Sequence, residues 1–451
     1  MKHLHSCSGQ SGSGAILCMG LITLPQGVVP TKTTDESLRI FDSWDMLLHP
    51  TIVTRHTNIM RFIERNYCSN LKRNKTGLRR LHKATGLLDE MPEPGHAGFQ
   101  AIFHYPLSIP WVQNLFVYLN NRRHYKKRIL IQLKAFVYTR YGGPEVLQLK
   151  EVDKPSPKDD EVLVKVHAAS VNDWDSGLLD GDFINRILNG LRKPKRQILG
   201  SDIAGRVEAV GKNVTKFKAG DEVYGDLSGR WGGFAEYTCA PEKMLALKPA
   251  TMSFVQAAAI PQAAMLAVQG LIDKGKIKAG QKLLINGAGG GVGTFGVQIA
   301  KQYGAEVTGV DSTSKLDMMR SIGFDHVIDY TKEDFTKNGK HYDLILDAKT
   351  NRSMFDYARA LSPNGVYVTV GGSIGRLLQS LFLGPWISMT RKKHFRLVSL
   401  KTNKDLVYMN ELFEAGKVNP VIDGPYKLEE LPEVFKTFAK ASHKGKLVVT
   451  M

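Results

Sequence analysis

The pattern of apolar and polar positions changes near residue 133. From there to about residue 240, short apolar and β-branched runs alternate with polar residues, and Gly, Asp and Pro separate the runs. Alternation with a period of two is typical of half-buried strands. The first run, KAFVYTRYGGPEVLQLKEV, reads as two strands around a Gly-Gly-Pro turn. We therefore predict an antiparallel, barrel-like module in this part of the chain.

After Ser253 the rhythm becomes helical, in FVQAAAIPQAAMLAVQGLIDKG. Strand-like runs such as KLLING, AEVTGVD and YDLILDA then alternate with helix-like runs such as GTFGVQIAKQYG and MFDYARALS. This alternation is the signature of a parallel sheet wrapped by helices. The predicted fold class is α/β, with a doubly wound parallel sheet and a β-barrel module.

Residues 1–132 show no sustained period. Residues 1–130 nevertheless carry 17 Lys and Arg against 8 Asp and Glu, which is half of the net charge of +18. Basic residues among aromatics, as in NRRHYKKR, could bind phosphate backbones. Without a nucleic-acid-binding fold nearby, we interpret them as a solvated basic surface and expect no nucleic-acid partner.

The spacing of the cysteines and the hydropathy of the chain bear on the cellular compartment of the protein. The four cysteines are dispersed, without C-x-x-C pairs. No apolar run reaches the ~20 residues of a spanning helix, and the run AILCMGLITL is not followed by a convincing signal-peptide cleavage site. We expect a cytoplasmic protein without structural zinc.

The segment KLLINGAGGGVGTFGVQIAK combines an apolar strand, a glycine cluster and a helix, with the spacing G-x-x-G-x-x-G. Glycine lets the backbone approach a pyrophosphate closely, and the helix that starts near Gly293 offers unpaired N–H groups to it. We therefore predict a Rossmann domain that binds a dinucleotide. The predicted pyrophosphate site consists of Gly287, Gly290, Gly291, Val292 and Gly293.

An acidic residue follows at the expected distance, since Asp311 lies 21 residues beyond Gly290. A carboxylate here can accept hydrogen bonds from ribose hydroxyls and repels a 2′-phosphate, which favours NADH. Ser312, Lys315 and Tyr330 could instead surround that phosphate, although Lys315 reads equally well as a solvated lysine. The choice between NADH and NADPH stays open.

Eight motifs together carry a family resemblance. They are YGGPEVLQL, AASVNDWD, GSDIAGRVEAVG, FKAGDEVYG, GGFAEY, INGAGGGVG, HVIDY and GKVNPVID. With them the chain resembles the medium-chain dehydrogenase/reductase superfamily, in its zinc-free quinone oxidoreductase (zeta-crystallin-like) branch. The resemblance implies a GroES-like domain at 134–257, completed by 403–451, a Rossmann domain at 258–402, and a cleft between them.

Residues 1–133 then form an N-terminal extension, because relatives usually begin near Leu133. Leucine can be encoded by TTG, an alternative bacterial start codon. We hypothesise that the extension is an over-extended reading frame, with a targeting or regulatory arm as the alternative.

The resemblance also bears on metal chemistry. Where the zinc-dependent branch has its first Cys, this chain has Asn172, and where that branch has His-Glu it has Ser201-Asp202. A catalytic zinc needs three protein ligands, so we expect no metal. Hydrogen-bond donors must then stabilise the charge that develops on the substrate oxygen. This favours quinones and α,β-unsaturated carbonyls, in which the charge is delocalised.

Further site residues follow from the resemblance. It implies that Asn172 is a polar contact at the substrate or nicotinamide, that Asp175 orients its neighbours, and that Gly371 and Gly372 flank the nicotinamide ring.

Residues 373–393, SIGRLLQSLFLGPWISMTRKK, are apolar with a basic end. We expect this run to close the cleft or form a dimer contact, with an interfacial membrane helix as the less favoured alternative.

These patterns predict a zinc-independent enzyme that transfers a hydride from NADPH or NADH to a quinone or enone, and that is a homodimer like many relatives. One alternative is a zinc-free alcohol dehydrogenase or aldehyde and ketone reductase. The other is a non-catalytic, zeta-crystallin-like protein that binds NADPH and RNA.

Overall fold

The computed structural model describes residues 132–372 and 374–451. The predicted N-terminal extension, with its basic run NRRHYKKR, lies outside the described residues. So does Ser373, the first residue of the apolar run.

The described part opens with the predicted hairpin. Strand β1 (Gln132–Val137) pairs antiparallel with β2 (Gln148–Asp153), and Lys134 lies opposite Glu151. The Gly-Gly-Pro sequence lies between them and begins a short 3-10 turn at Pro144. The hairpin is thus confirmed.

A seven-stranded sheet follows, in the order β14-β15-β3-β4-β5-β7, with β6 paired to β3. Most neighbours are antiparallel, but β14 and β15 are parallel to each other. The last two strands come from the C-terminus and therefore complete the barrel-like module. The strands are β3 (Glu161–Ser170), β4 (Asp202–Val210), β5 (Glu222–Asp226), β6 (Tyr237–Pro241), β7 (Ala246–Leu247), β14 (Ile422–Lys427) and β15 (Lys446–Thr450).

The other large sheet is six-stranded and parallel, in the order β10-β9-β8-β11-β12-β13. The chain runs outward from β8 to β10 and then returns to β11 on the other side of β8. This reversal is the switch point at which doubly wound sheets bind ligands. The strands are β8 (Lys282–Asn286), β9 (Glu306–Asp311), β10 (His326–Asp329), β11 (Tyr342–Asp347), β12 (Leu361–Thr369) and β13 (His394–Leu397).

Ten α-helices lie in the described part of the chain. Pro261 stands at the start of α4, where its missing N–H breaks no helical bond, and α4 continues as one π-helical stretch, Gln269–Lys274. The helices are α1 (Asp173–Asp180), α2 (Phe183–Asn189), α3 (Phe254–Ala259), α4 (Pro261–Val268), α5 (Gly291–Gln302), α6 (Leu316–Ser321), α7 (Met354–Ala360), α8 (Ile374–Arg391), α9 (Leu406–Glu414) and α10 (Leu431–Ala439). Among the described helices, none has the length and apolar character needed to cross a bilayer.

One apolar core joins the two sheets. Alanines of α3 and α4 pack in it against Ala204 of β4 and against Val297 and Val307 of the parallel-sheet domain. The Tyr224 hydroxyl on β5 adds a hydrogen bond to the Asn410 side chain on α9. Small residues at this junction let the two sheets approach each other closely and fix the cavity between them.

Candidate active site

A cavity of about 390 Å³ lies between the two sheets. Its walls come from the end of β3 and the start of α1, from the loop after β8, and from the segment that enters β15. The loop after β8 is at the switch point of the parallel sheet, where ligands bind in such folds. The lining residues with chemical interest are Asn172, Gly290, Gly291, Lys349, His443 and Lys446.

The glycine turn, Gly287–Gly293, joins β8 to α5. Gly287 has a φ of +84°, which side chains rarely tolerate. A Cβ at Gly293 would lie 2.4 Å from the carbonyl oxygen of Ala288, so glycine alone permits this packing. Helix α5 begins at Gly291, two residues before the position predicted from the sequence, because the extended Gly290 is its N-cap.

This turn fits a dinucleotide pyrophosphate. If Gly290 carried a Cβ, the nearest atom outside the adjacent residues would be the Gly287 carbonyl oxygen, 3.6 Å away. The N-terminus of α5 therefore borders open space, and its free N–H groups and helix dipole attract phosphate there. Gly287, Gly290, Gly291 and Val292 line the cavity, while Gly293 is buried behind them.

The structure brings the predicted adenosine-site residues together. The Gly289 N–H donates to Asp311 Oδ2 at 2.8 Å, and the Ser312 N–H donates to Asp311 Oδ1 at 2.9 Å. The half-exposed Tyr330 donates its backbone N–H to the Asp311 carbonyl at 3.2 Å. Asp311 thus ties the glycine turn to the ends of β9 and β10.

Lys315 is not the solvated lysine that the sequence allowed. Its side chain is buried, and its Nζ lies 3.4 Å from Asp311 Oδ1. Burial lowers the pKa of Lys315, and the carboxylate of Asp311 opposes that effect. The solvated interpretation was wrong because the chain after β9 turns this lysine inward beneath Gly289.

Gly371 and Gly372 lie just beyond β12. The Thr369 hydroxyl donates to the Gly371 carbonyl at 2.8 Å, and Gly372 has a φ of +125°. Neither residue is among those that line the cavity in the described structure. Their contact with the nicotinamide stays a prediction.

Asn172 and Asp175 belong to one buried hydrogen-bond network at the cavity wall. The Asn172 N–H donates to Asp175 Oδ2 at 3.1 Å, and the Gly200 N–H donates to Asp175 Oδ1 at 2.9 Å. The Asn172 amide donates to Ser201 Oγ at 3.0 Å. Complete burial raises the pKa of Asp175 to about 7. Asp175 therefore holds the Asn172 loop against Gly200 and Ser201, the residues that lead into β4.

Lys446, on β15, is a site residue that the sequence did not reveal. Its Nζ donates to the Val171 carbonyl at 3.1 Å and to the Asn172 side-chain oxygen. It also lies 3.6 Å from Asp202 Oδ2. The ammonium is buried at the wall of the cavity, where its charge is poorly screened by water.

Asp202 is the acidic partner of this lysine. Its Oδ2 accepts hydrogen bonds from Ser170 Oγ at 3.3 Å and from the Gln262 N–H at 3.2 Å. Burial raises the pKa of Asp202, whereas Lys446 acts in the opposite direction and the nearby Asp226 carboxylate adds to the rise. We name the group of Asn172, Asp175, Ser201, Asp202 and Lys446 the polar cluster.

His443 is a second residue that the sequence analysis missed. It lines the cavity with its ring stacked on Phe438 at 5.1 Å. Burial, together with the cations Lys315, Lys349 and Lys446, lowers the pKa of His443 to about 4. The imidazole is therefore neutral at physiological pH, and its Nδ1 has no partner within the described residues.

Metal ligands are not grouped in the described part of the chain. Within residues 132–372 and 374–451, no three His, Cys, Asp or Glu side chains lie close enough to hold an ion. Amide and hydroxyl oxygens of Asn172 and Ser201 are poor zinc ligands. The residues present do not fit a catalytic zinc.

Comparison with known proteins agrees with this architecture. Residues 158–250 match the family model "Alcohol dehydrogenase GroES-like domain", and residues 322–449 match "Zinc-binding dehydrogenase". The chain is 35% identical over 331 residues to the chloroplastic NADPH-dependent alkenal/one oxidoreductase of Arabidopsis thaliana, which covers 70% of this chain and 79% of the relative. It is 30% identical over 337 residues to the human quinone oxidoreductase, covering 71% of this chain and 98% of the relative.

Solved structures show the same fold. The quinone oxidoreductase of Coxiella burnetii superposes with a TM-score of 0.64 at 27% identity, covering 71% of this chain and 99% of that one. Three findings define the class of protein: the Rossmann sheet with a GroES-like barrel, the glycine turn at the switch point, and the relatives named above. The chain belongs to the medium-chain dehydrogenase/reductase superfamily, among its quinone oxidoreductases and alkenal reductases. The predicted fold class is confirmed.

Proposed function

We propose that this protein is a zinc-independent NAD(P)H-dependent oxidoreductase that reduces quinones or α,β-unsaturated carbonyls. One observation carries the proposal: a cavity lined by the glycine turn and by Asn172 and Lys446, the two members of the polar cluster that reach it. The named activities of the Arabidopsis and human relatives support the same reaction class.

The chain's own residues would hold the cofactor along one edge of the parallel sheet. The backbone of Gly290, Gly291 and Val292 would bind the pyrophosphate. Asp311 and Ser312, with Lys315 and Tyr330, would surround the adenosine ribose. When bound, the nicotinamide supplies a hydride to the substrate.

We propose NADPH as the preferred cofactor. The Asp311 carboxylate already accepts hydrogen bonds from two backbone N–H groups and faces the Lys315 ammonium, so its repulsion of a 2′-phosphate is reduced. The Arabidopsis relative is named as NADPH-dependent.

The polar cluster would stabilise negative charge on the substrate oxygen. Lys446 orients the Asn172 amide and adds a buried positive charge, which is worth more in a cavity wall than in water. The sequence predicts hydrogen-bond donors alone, and Lys446 would add a cation to them. In a quinone or enone the charge is also spread by conjugation, and water or a bound hydroxyl would supply the proton.

We also propose that the protein is a cytoplasmic homodimer. Strand β13 ends the parallel sheet and leaves one row of backbone groups without a strand partner among the described residues. Such an edge can pair with a second copy. Light scattering at several concentrations tests the dimer, and a monomer at every concentration would contradict it.

The test of the reaction is a stopped-flow screen of NADPH and NADH against quinones, enones and aldehydes, with and without chelator. We expect turnover with quinones or enones, faster with NADPH, and no effect of the chelator. Cofactor binding without turnover of any acceptor would contradict an enzymatic function. Stoichiometric zinc whose removal abolishes turnover would contradict the metal-independent mechanism.

A further inference from the structure

Helix α8 has an apolar face that packs on its own domain. Ile387 is completely buried in the core beside the parallel sheet, and Leu383 packs against the same core. A Cβ at Gly384 would lie 2.9 Å from the Cβ of Phe395 on β13, which shows how closely the helix approaches that strand. The orientation of α8 is therefore fixed by this inner face.

The outer face of α8 is apolar as well. Leu378, Phe382, Trp386 and Met389 recur at intervals of four, four and three residues, so they form one line along the helix. They are exposed by 48%, 71%, 49% and 82%, respectively. We name these four residues the apolar stripe. A helix at the surface of an ordinary globular domain has polar residues at such positions.

The apolar stripe does not close the substrate cavity. The residues that line the cavity in the described structure include none from α8. The stripe therefore needs a partner outside the described residues if it is to be covered.

Along the sequence on both sides of α8, the charged residues have one sign. The 48 residues between Asp356 and Asp405 contain eight Lys and Arg and no Asp or Glu. Arg391 and Lys392, at the end of α8, are exposed, and within the described part of the chain neither has an acidic partner. The exposed apolar line thus ends in unpaired positive charge.

The positive charge beside the stripe distinguishes between two possible partners, a second copy of the chain and a lipid surface. A two-fold contact through the apolar stripe itself, as distinct from pairing at the edge of β13, would place this surface against itself. Such a contact brings Arg391 and Lys392 of two copies together, and residues 357–404 supply no acidic residue to offset them. An anionic lipid surface offers an apolar interior for the stripe and negative headgroups for Arg391 and Lys392. Trp386 suits the boundary between headgroups and acyl chains. We propose that α8 binds the protein peripherally to anionic bilayers, with the apolar stripe facing the lipid.

Sedimentation of the full-length protein with vesicles tests the proposal. We expect binding to vesicles of phosphatidylcholine with phosphatidylglycerol that is about tenfold tighter than to phosphatidylcholine alone and weaker at high salt. Phe382→Glu should weaken binding about tenfold, because a charge then enters the apolar layer. Val407→Glu is the matched control, since Val407 is 66% exposed on α9 and lies outside the stripe. It should bind like the wild type.

A second pair of variants isolates the charge. Lys392→Glu should weaken binding to the anionic vesicles, whereas Lys417→Glu, which changes an exposed lysine beyond α9, should have a much smaller effect. Anionic vesicles should also shift tryptophan fluorescence to shorter wavelength, and Trp386→Phe should remove that shift.

Two results would overturn the proposal. One is vesicle binding that is equally tight in the wild type and Phe382→Glu, since the stripe would then not touch lipid. The other is the absence of vesicle binding combined with a change from dimer to monomer in Phe382→Glu by light scattering. That outcome would assign the stripe to a contact between copies of this chain.

Discussion

Lys446 is the residue whose position most changes the chemistry expected of the cavity. Its ammonium contacts Asn172 and lies near Asp202, so it fixes an amide and adds positive charge beside positions at which the resemblance implies zinc ligands in the zinc-dependent branch. Replacing it leaves Asp202 buried without a cation, which costs stability as well as activity. Two separate measurements are therefore needed for this residue.

Lys446→Met should lower kcat by about tenfold or more, because an interaction with developing negative charge is lost. KM for NADPH should change much less. Lys444→Met is the matched control, since Lys444 is exposed two residues away. Steady-state kinetics with varied NADPH and acceptor concentrations checks this, on variants whose fold is verified by circular dichroism. A kcat equal to that of the wild type would exclude Lys446 from catalysis.

Asp175 should make stability depend on pH. Burial raises its pKa from 3.8 to about 7, so between these values the unfolded chain ionises Asp175 while the folded chain keeps it protonated. The protonated Asp175 therefore makes its full contribution to the free energy of unfolding below pH 4. The contribution falls as pH rises to about 7, by at most about 1.4 kcal/mol per pH unit.

Asp175→Asn should remove that contribution. Its free energy of unfolding, measured by chemical denaturation across this pH range, should fall less with pH than that of the wild type. Asp173→Asn, which changes an exposed neighbour, should retain the wild-type slope. Identical slopes for the wild type and Asp175→Asn would show that Asp175 is ionised in the folded protein.

At the scale of elements, the glycine turn and α5 form the cofactor-binding unit. Gly293 is required for packing because its Cβ would meet Ala288, whereas Gly290 faces open space. The two glycines therefore have different roles in one motif. A substitution at Gly290 can separate cofactor affinity from folding.

Gly290→Ala should fold normally, since its φ of −90° suits alanine. The added methyl group would occupy space needed by the pyrophosphate, so we expect NADPH affinity to fall about tenfold or more. Gly375→Ala on α8, where an added Cβ would have no neighbour within 4 Å, is the control. Fluorescence titration of NADPH checks the prediction, and unchanged affinity in Gly290→Ala would place the cofactor elsewhere.

For the whole molecule, the cavity lies between two sheets that share one apolar core. A ligand bound there should stabilise both domains together. NADPH at a hundred times its Kd should add about 2.7 kcal/mol to the free energy of unfolding. The protein should then unfold at a higher Tm in one transition, and chelator should not lower the Tm. A chelator-induced loss of stability would indicate a structural metal.

The sequence predicted most of the fold because the signals for it are local. The hairpin was predicted from the run KAFVYTRYGGPEVLQLKEV. The dinucleotide turn was predicted from the strand, glycine cluster and helix that begin at Lys282. The exception was the start of α5 at Gly291. Three consecutive glycines leave the N-cap undetermined until the turn is packed against Asp311.

The candidate site could be predicted only in part. Asn172 and Asp175 were found because a resemblance marked them. Lys446 and His443 were missed, since a lysine or histidine beside an apolar strand also fits a solvent-exposed position. Lys446 meets Asn172 only because β15 pairs with β3, across 274 positions of sequence.

The sequence by itself determined the order of strands and helices, the glycine spacing of the cofactor turn and the absence of zinc-type ligands at the vacated positions. Periodicity and residue type are sufficient for the first two features, and the family resemblance located the vacated positions. Tertiary structure decided which charged side chains are buried together, as in Lys446 with Asp202 and Lys315 with Asp311. Burial and distance depend on strand pairing between remote segments, and no local pattern encodes that pairing.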